Sequence, residues 1–232
     1  MIHVEHLQKS YGDQQAVRDL SFDVAPGELY ALLGGNGAGK TTTLHMLLGL
    51  VESDGGTIQV DGQTVGPGAR PRAVYVPEVV QLYADLDAIE TLELFASVAG
   101  HSVTAAACGT ALEQAGLAPE HHRRRIGIYS KGMRQKVALA LAEVQKAGAL
   151  VLDEPTSGLD AVAAAQLAER LKAAKARGSA VLMSTHDVLH VAGLADKIGI
   201  LHRGVLVEEL PGQGLDGPQL LKAYREAVAG AA

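Results

Sequence analysis

At 232 residues, with 47% hydrophobic and 20% charged residues, the chain has the composition of a soluble globular protein and the length of one large domain, or of a core with a smaller subdomain. No apolar run reaches the ~20 residues that span a bilayer; the longest, Val137 to Leu152, is broken by Glu143, Gln145 and Lys146. A net charge of −6 argues against a broad nucleic-acid-binding surface, and the single cysteine, Cys108, leaves no internal disulfide, which suits the cytosol.

Taken in order, Met1 to Ser10 is polar and strand-like and lacks the pattern of a signal peptide. Ile2 to Leu7 and Leu20 to Val24 alternate in part and predict strands of an antiparallel lobe, with Tyr11 between them. Pro26-Gly27 marks a turn before Leu29 to Leu33, a short apolar run that predicts a buried strand. Next comes Gly34-Gly35-Asn36-Gly37-Ala38-Gly39-Lys40-Thr41-Thr42, which fits G-x-x-x-x-G-K-[ST] and leads into a helix with Leu44, Leu47 and Leu48 at helical spacing. A strand that ends in glycines and reopens as a helix turns consecutive N–H groups toward one point. Those donors and the positive end of the helix dipole bind a polyphosphate. Lys40 would reach the β- and γ-phosphates, and the Thr41 hydroxyl would sit on Mg2+.

Asp54-Gly55-Gly56 and Asp61-Gly62 bracket Thr57 to Val60, a hairpin signal, and Gly66-Pro67-Gly68 predicts a loop. Ala73 to Val76 is β-prone and stops at Pro77. From there the pattern turns helical, with Ile89 to Ala99, Thr104 to Leu117 and Lys131 to Lys146, the last capped by Ser130. His121-His122-Arg123-Arg124-Arg125 predicts a solvated loop or helix end. The strand and helix alternation then resumes: strands at Ala149 to Leu152, Ala180 to Ser184, Ile198 to Leu201 and Val205 to Glu208, helices at Ala161 to Ala176 and Asp187 to Ala195. This order predicts an α/β fold of the phosphate-loop NTPase type: a mostly parallel sheet, an amino-terminal antiparallel lobe and an inserted helical subdomain at about 79–147. The nucleotide-binding domain would occupy 1–210 and a short, helical tail 211–232.

Ala149 to Asp153-Glu154 is an apolar strand that delivers two carboxylates. Asp153 can hold Mg2+ directly or through water. Glu154, expected on the opposite side of the strand by its period of two, can orient and deprotonate an attacking water.

Residues 2–210 resemble the ATP-binding subunit of an ABC transporter. Four motifs in the family's order carry the likeness: the phosphate loop; Tyr129-Ser130-Lys131-Gly132-Met133-Arg134-Gln135-Lys136; Leu152-Asp153-Glu154-Pro155-Thr156-Ser157-Gly158-Leu159-Asp160; and Ser184-Thr185-His186-Asp187. The resemblance implies that Gly34, Asn36, Gly37, Ala38, Gly39, Lys40, Thr41 and Thr42 bind ATP and that Tyr11 stacks on its adenine. It implies that Ser130 and Gly132 bind the γ-phosphate held by a second copy, that Asp160 lies at the interface of that pair, and that His186 contacts the γ-phosphate. Three positions depart from the family's pattern. Glu78 stands where glutamine is usual and is expected near Mg2+; Lys131 replaces the signature's second glycine; and Gly35 stands where proline is frequent. Lys131 and Glu78 are similar to exporter-type members. The function implied is a Mg2+-dependent ATPase, dimeric head to tail, peripheral on the cytoplasmic face of the membrane, that drives export through a separate permease without nucleic acid. Two rivals use the same loop: a non-transport ABC-type ATPase acting on ribosomes or DNA, and a small-molecule kinase. The first normally carries a second module or long coiled coil; the second leaves the signature unexplained.

Overall fold

The computed structural model describes residues 1–66, 68, 69 and 71–231; Pro67 of the expected loop and the last tail residue, Ala232, lie outside the described residues. β1 (Ile2–Tyr11) and β2 (Gln14–Val24) pair antiparallel, with Ile2 opposite Val24 and Tyr11 opposite Gln14. Both strands run further than their apolar alternation indicates, because ladder pairing continues through polar residues. Tyr11 therefore ends a strand and does not lie in a loop. β3 (Leu29–Leu33) is buried at all five residues, as a strand covered on both faces must be. α1 (Lys40–Leu47) follows it and gives way to Gly49 at φ 68, the left-handed conformation that ends a helix.

β4 (Gly55–Val60) and β5 (Gln63–Thr64) form the expected hairpin. Asp61 and Gly62 sit at φ 50 and 76, the two positive values a type I′ turn requires. After β6 (Ala73–Val76) come α2 (Ala88–Val98), α3 (Ala105–Gln114) and α4 (Lys131–Val144). Each begins at a side-chain cap. Asp87 and Glu90 form a reciprocal capping box on α2, Thr104 caps α3, and Ser130 accepts from Met133 N–H at 3.3 Å on α4. Asp87 also holds Arg123 at 3.2 Å, and His122, inside the basic cluster, is buried with its Nε2 3.0 Å from the Leu117 carbonyl. The cluster is thus only partly the solvated loop its charge suggests. Asp87→Ala removes the cap of α2 and is expected to cost about 1–2 kcal/mol, read as a lower denaturant midpoint at unchanged m-value. An unmoved midpoint would show that the box contributes nothing.

The chain closes through β7 (Ala149–Asp153), α5 (Ala161–Ala176), β8 (Ala180–Thr185), α6 (Val188–Val191), β9 (Lys197–His202), β10 (Val205–Pro211) and α7 (Gly217–Gly230). α6 has four residues and does not reach Ala195, since Gly193 turns to φ 73. Among the described residues, ten strands make one sheet in the order β5-β4-β1-β2-β10-β9-β3-β8-β7-β6. Its parallel part, β9, β3, β8, β7 and β6, carries the functional loops. Alternate residues of β3 serve two cores. Leu29, Ala31 and Leu33 face one that includes Leu92, Leu112 and Leu171. Tyr30 and Leu32 face another that includes Leu20, Leu44 and Val60. This is the α/β phosphate-loop fold the strand and helix order predicts. Register then sets the site: Leu33 lies beside Thr185, and Asp153 beside Ser184, so three strand ends open at one edge.

Candidate functional site

β3 ends at Leu33, and six residues later α1 starts with Gly39 at its amino-terminal cap. Gly39 holds φ 107, and a Cβ there would lie 2.4 Å from the Ala16 carbonyl oxygen, so no other residue fits. Gly34 is equally closed in, its would-be Cβ 2.5 Å from the Leu201 carbonyl oxygen. Gly35 has room, with Tyr224 Oη the nearest group at 3.8 Å. A side chain is therefore tolerated where the family often has proline. Residues 36–42 line a cleft of about 330 Å3 together with Tyr11, Gln14, Ala16, Glu78 and Glu154. The Lys40 ammonium is buried at its base and donates to the Gly34 and Gly35 carbonyls at 2.7 and 3.2 Å. It also lies 3.2 Å from Glu154 Oε1.

The two carboxylates after β7 take different partners. Asp153 is the last strand residue. It accepts from the Thr41 hydroxyl at 2.9 Å and from the Ser184 hydroxyl. Tyr75 reaches Asp153 at 3.4 Å, and burial followed by that carboxylate pushes the Tyr75 phenol well above its usual range. Glu154 is not on the strand. It sits at φ 45, and its N–H donates to the Ser184 carbonyl and hydroxyl at 3.2 and 3.1 Å. The period of two therefore does not place it; a left-handed turn does. That turn brings its second carboxylate oxygen 2.8 Å from His186 Nδ1. Lys40, Glu154 and His186 form one chain of charge-assisted contacts along the cleft.

Thr41 and Asp153 offer two hard oxygen donors at the start of α1. That set suits Mg2+, which keeps most of its coordination for water and phosphate. No cluster of three His, Cys, Asp or Glu that could hold a metal alone occurs among the described residues. Glu78 is exposed on the cleft and accepts from the Ser157 hydroxyl at 2.8 Å. Tyr11 stands 51% exposed at the rim, with the Lys9 ammonium 5.6 Å from its ring centre.

The remaining expected residues do not join this cleft. Ser130 and Gly132 line a separate groove of about 150 Å3 between α4 and α5. Asp160 caps α5 through Ala163 N–H at 2.7 Å. Nothing in the chain's own fold brings these three to its own phosphate loop. Ser184 was not singled out by its chemistry, although it positions both carboxylates. Beyond its place in the motif Ser184-Thr185-His186-Asp187, its sequence signal is a hydroxyl near the end of an apolar strand.

The profile of the ABC transporter family matches residues 17–157. A Nod factor export ATP-binding protein I of Burkholderia orbicola is 41% identical over 213 residues, covering 90% of this chain and 70% of that protein. A bacitracin transport ATP-binding protein of Bacillus licheniformis is 36% identical, over 91% of this chain and 70% of that protein. Among solved structures, an ATP-binding subunit of an ABC transporter superposes with a TM-score of 0.83 at 30% identity, covering 97% of this chain and 99% of the other. An ATP-binding cassette solved as a post-hydrolysis dimer with ADP and Pi has a TM-score of 0.82 at 21% identity, over 93% of this chain and all (100%) of the other, and supports the fold.

Proposed function

The chain belongs to the ABC transporter family, as an ATP-binding and ATP-hydrolysing subunit, and from that premise we propose that it powers export through a separate membrane permease. The observation that carries the reading is the division of the polyphosphate machinery between two places. Lys40, Thr41 and Glu154 line one cleft, with Asp153 bonded to Thr41 and His186 to Glu154 behind it, while Ser130 and Gly132 lie in another groove. The helix start at Ser130 and Gly132 offers its N–H groups as an anion site. Separated from its own loop, it is useful to the nucleotide of a second copy, so two chains stacked head to tail would hold two ATP molecules between them.

Within the cleft, Tyr11 stacks on adenine, and the N–H groups of residues 36–42 with Lys40 hold the phosphates. Binding of those phosphates draws the Lys40 ammonium from Glu154 and frees that carboxylate. Glu154 then takes a proton from the attacking water, while His186, 2.8 Å from it, fixes the direction of attack. Thr41 and Asp153, with Glu78 at the edge, are the residues that would hold Mg2+. Bound there, the ion would neutralise charge developing on the phosphate oxygens. The helices of about 79–147 form a subdomain that carries closure of the pair to the permease, which would keep the chain peripheral at the membrane's cytoplasmic face. No helix among the described residues is long and apolar enough to cross a membrane.

ATP-dependent pairing tests the two-chain site. Light scattering of Glu154→Gln is expected to report a dimer with ATP and a monomer without it. Adding Ser130→Tyr, which fills the anion site, should restore the monomer. A monomer with and without ATP, also when the permease is present, overturns the reading. For transport, a neighbouring reading frame with about six spans of ~20 apolar residues should retain the chain in membranes when co-expressed. Failure of retention removes the permease from the proposal.

A further inference from the structure

Ser157, three residues beyond Glu154, has every polar group engaged. Its N–H donates to the Glu154 carbonyl at 3.1 Å and closes the turn in which Glu154 holds its left-handed backbone. Its carbonyl accepts from Lys131 Nζ at 2.6 Å. Its hydroxyl donates to Glu78 Oε1 at 2.8 Å. One turn further along α4, Gln135 Nε2 donates to the Pro155 carbonyl at 2.8 Å. Lys131 and Gln135 are four residues apart and so share one helix face, which grips the turn of residues 155–157 at two points. The turn is thus held from α4 on one side and from the segment after β6 on the other. Two of the three holding side chains, Lys131 and Glu78, are among the three positions at which this chain departs from the family's pattern as read from its sequence.

A non-glycine residue at positive φ costs of order 1–3 kcal/mol and persists only when its surroundings over-determine it. We propose that Ser157, with Lys131 and Gln135, is a positioning device for Glu154: the grip from α4 holds the turn that aims the Glu154 carboxylate. It follows that a displacement of α4 relative to the sheet pulls directly on the general base. Movement of the helical segment and competence for hydrolysis are then one event, carried by a hydrogen-bond path within a single chain. This rests on Glu154 being the base, as proposed above.

The test uses the full chain with saturating Mg2+ and ATP and measures single-turnover hydrolysis, ATP affinity and pairing separately. Lys131→Met keeps the aliphatic stem but cannot donate to Ser157. It is expected to lower the hydrolysis rate about tenfold while leaving ATP affinity and ATP-induced pairing within twofold. Lys131→Arg should restore most of the rate. Ser157→Ala, which releases Glu78 alone, should lower it less, and Ser157→Ala with Glu78→Ala should be no slower than the slower single variant, since both remove one contact. Glu154→Gln is the reference. If it abolishes turnover while Lys131→Met and Ser157→Ala hydrolyse at the parent rate, the positioning role is wrong and the base assignment stands. If Lys131→Met loses affinity or pairing instead of rate, Lys131 serves the neighbour's nucleotide and the proposal fails. If Glu154→Gln turns over normally, both fall together.

Discussion

Lys40→Ala is expected to weaken ATP binding by at least two orders of magnitude, the largest affinity loss of any single change in the cleft. Lys40 is the one mobile cation of the phosphate loop, buried at the base of the cleft against the Gly34 and Gly35 carbonyls. Charge-assisted hydrogen bonds contribute roughly 1.5–3 kcal/mol each, and two to phosphate oxygens account for about 100-fold or more. The change has a second effect. The Glu154 side chain is only 13% exposed and would lose its 3.2 Å cationic partner, which leaves a half-desolvated carboxylate with His186 as its remaining side-chain contact and resists the approach of a polyanion. Lys40→Met, which keeps the stem and fills the space, separates packing from charge. Titration of both purified variants with nucleotide checks the claim. Affinity like the parent's in either one would remove the loop from ATP binding.

Legibility of the fold followed the physics of each segment. β3, β7 and β8 are uniformly buried, and short apolar runs between helices disclose such strands. The hairpin at Asp61-Gly62 was legible because only a few residues accept two positive φ angles in succession. The far end of β1 was not legible from the alternation that marked its start at Ile2, because ladder hydrogen bonds extend it through Lys9 and Ser10, whose side chains carry no apolar signal. In the site, the phosphate loop was readable since its glycines answer local demands, such as the close approach of Gly39 to the Ala16 carbonyl. The setting of Glu154 was not. Its backbone is fixed by Ser184, thirty residues away in sequence, and by a turn whose grip comes from α4. Contacts of that kind leave no local pattern. The same holds for Lys131 and Glu78, which register in the sequence only as unusual residues and share a partner, Ser157, only once the chain has folded.

Two glutamates border the cleft, and the change expected to affect turnover most is at one of them. Glu154 is anchored through its backbone to Ser184 and through its carboxylate to Lys40 and His186. It is held by a turn and not by the strand, but the turn is itself closed by Ser157 and leaves the carboxylate little freedom. Glu78 is exposed, follows Pro77 at the mouth of the helical segment, and has the Ser157 hydroxyl as its side-chain partner. A general base must sit within hydrogen-bond reach of its water, and small misplacement can cost ~10²-fold. The better-fixed glutamate is therefore the one the proposal assigns to catalysis. Glu154→Gln cannot accept the proton but keeps the shape and the contact to Lys40 through its amide oxygen. It is expected to bind ATP as the parent does, to lose roughly 10²–10⁴ in single-turnover rate, and to accumulate as the closed dimer. Glu78→Gln still accepts from Ser157 and restores the residue the family more often uses, so its rate should stay within about tenfold of the parent, with any larger change confined to permease-stimulated turnover. Rapid-quench hydrolysis of the two variants decides between them: a dead Glu78→Gln beside an active Glu154→Gln would reverse the roles, because no degree of anchoring helps a carboxylate that does not meet the water.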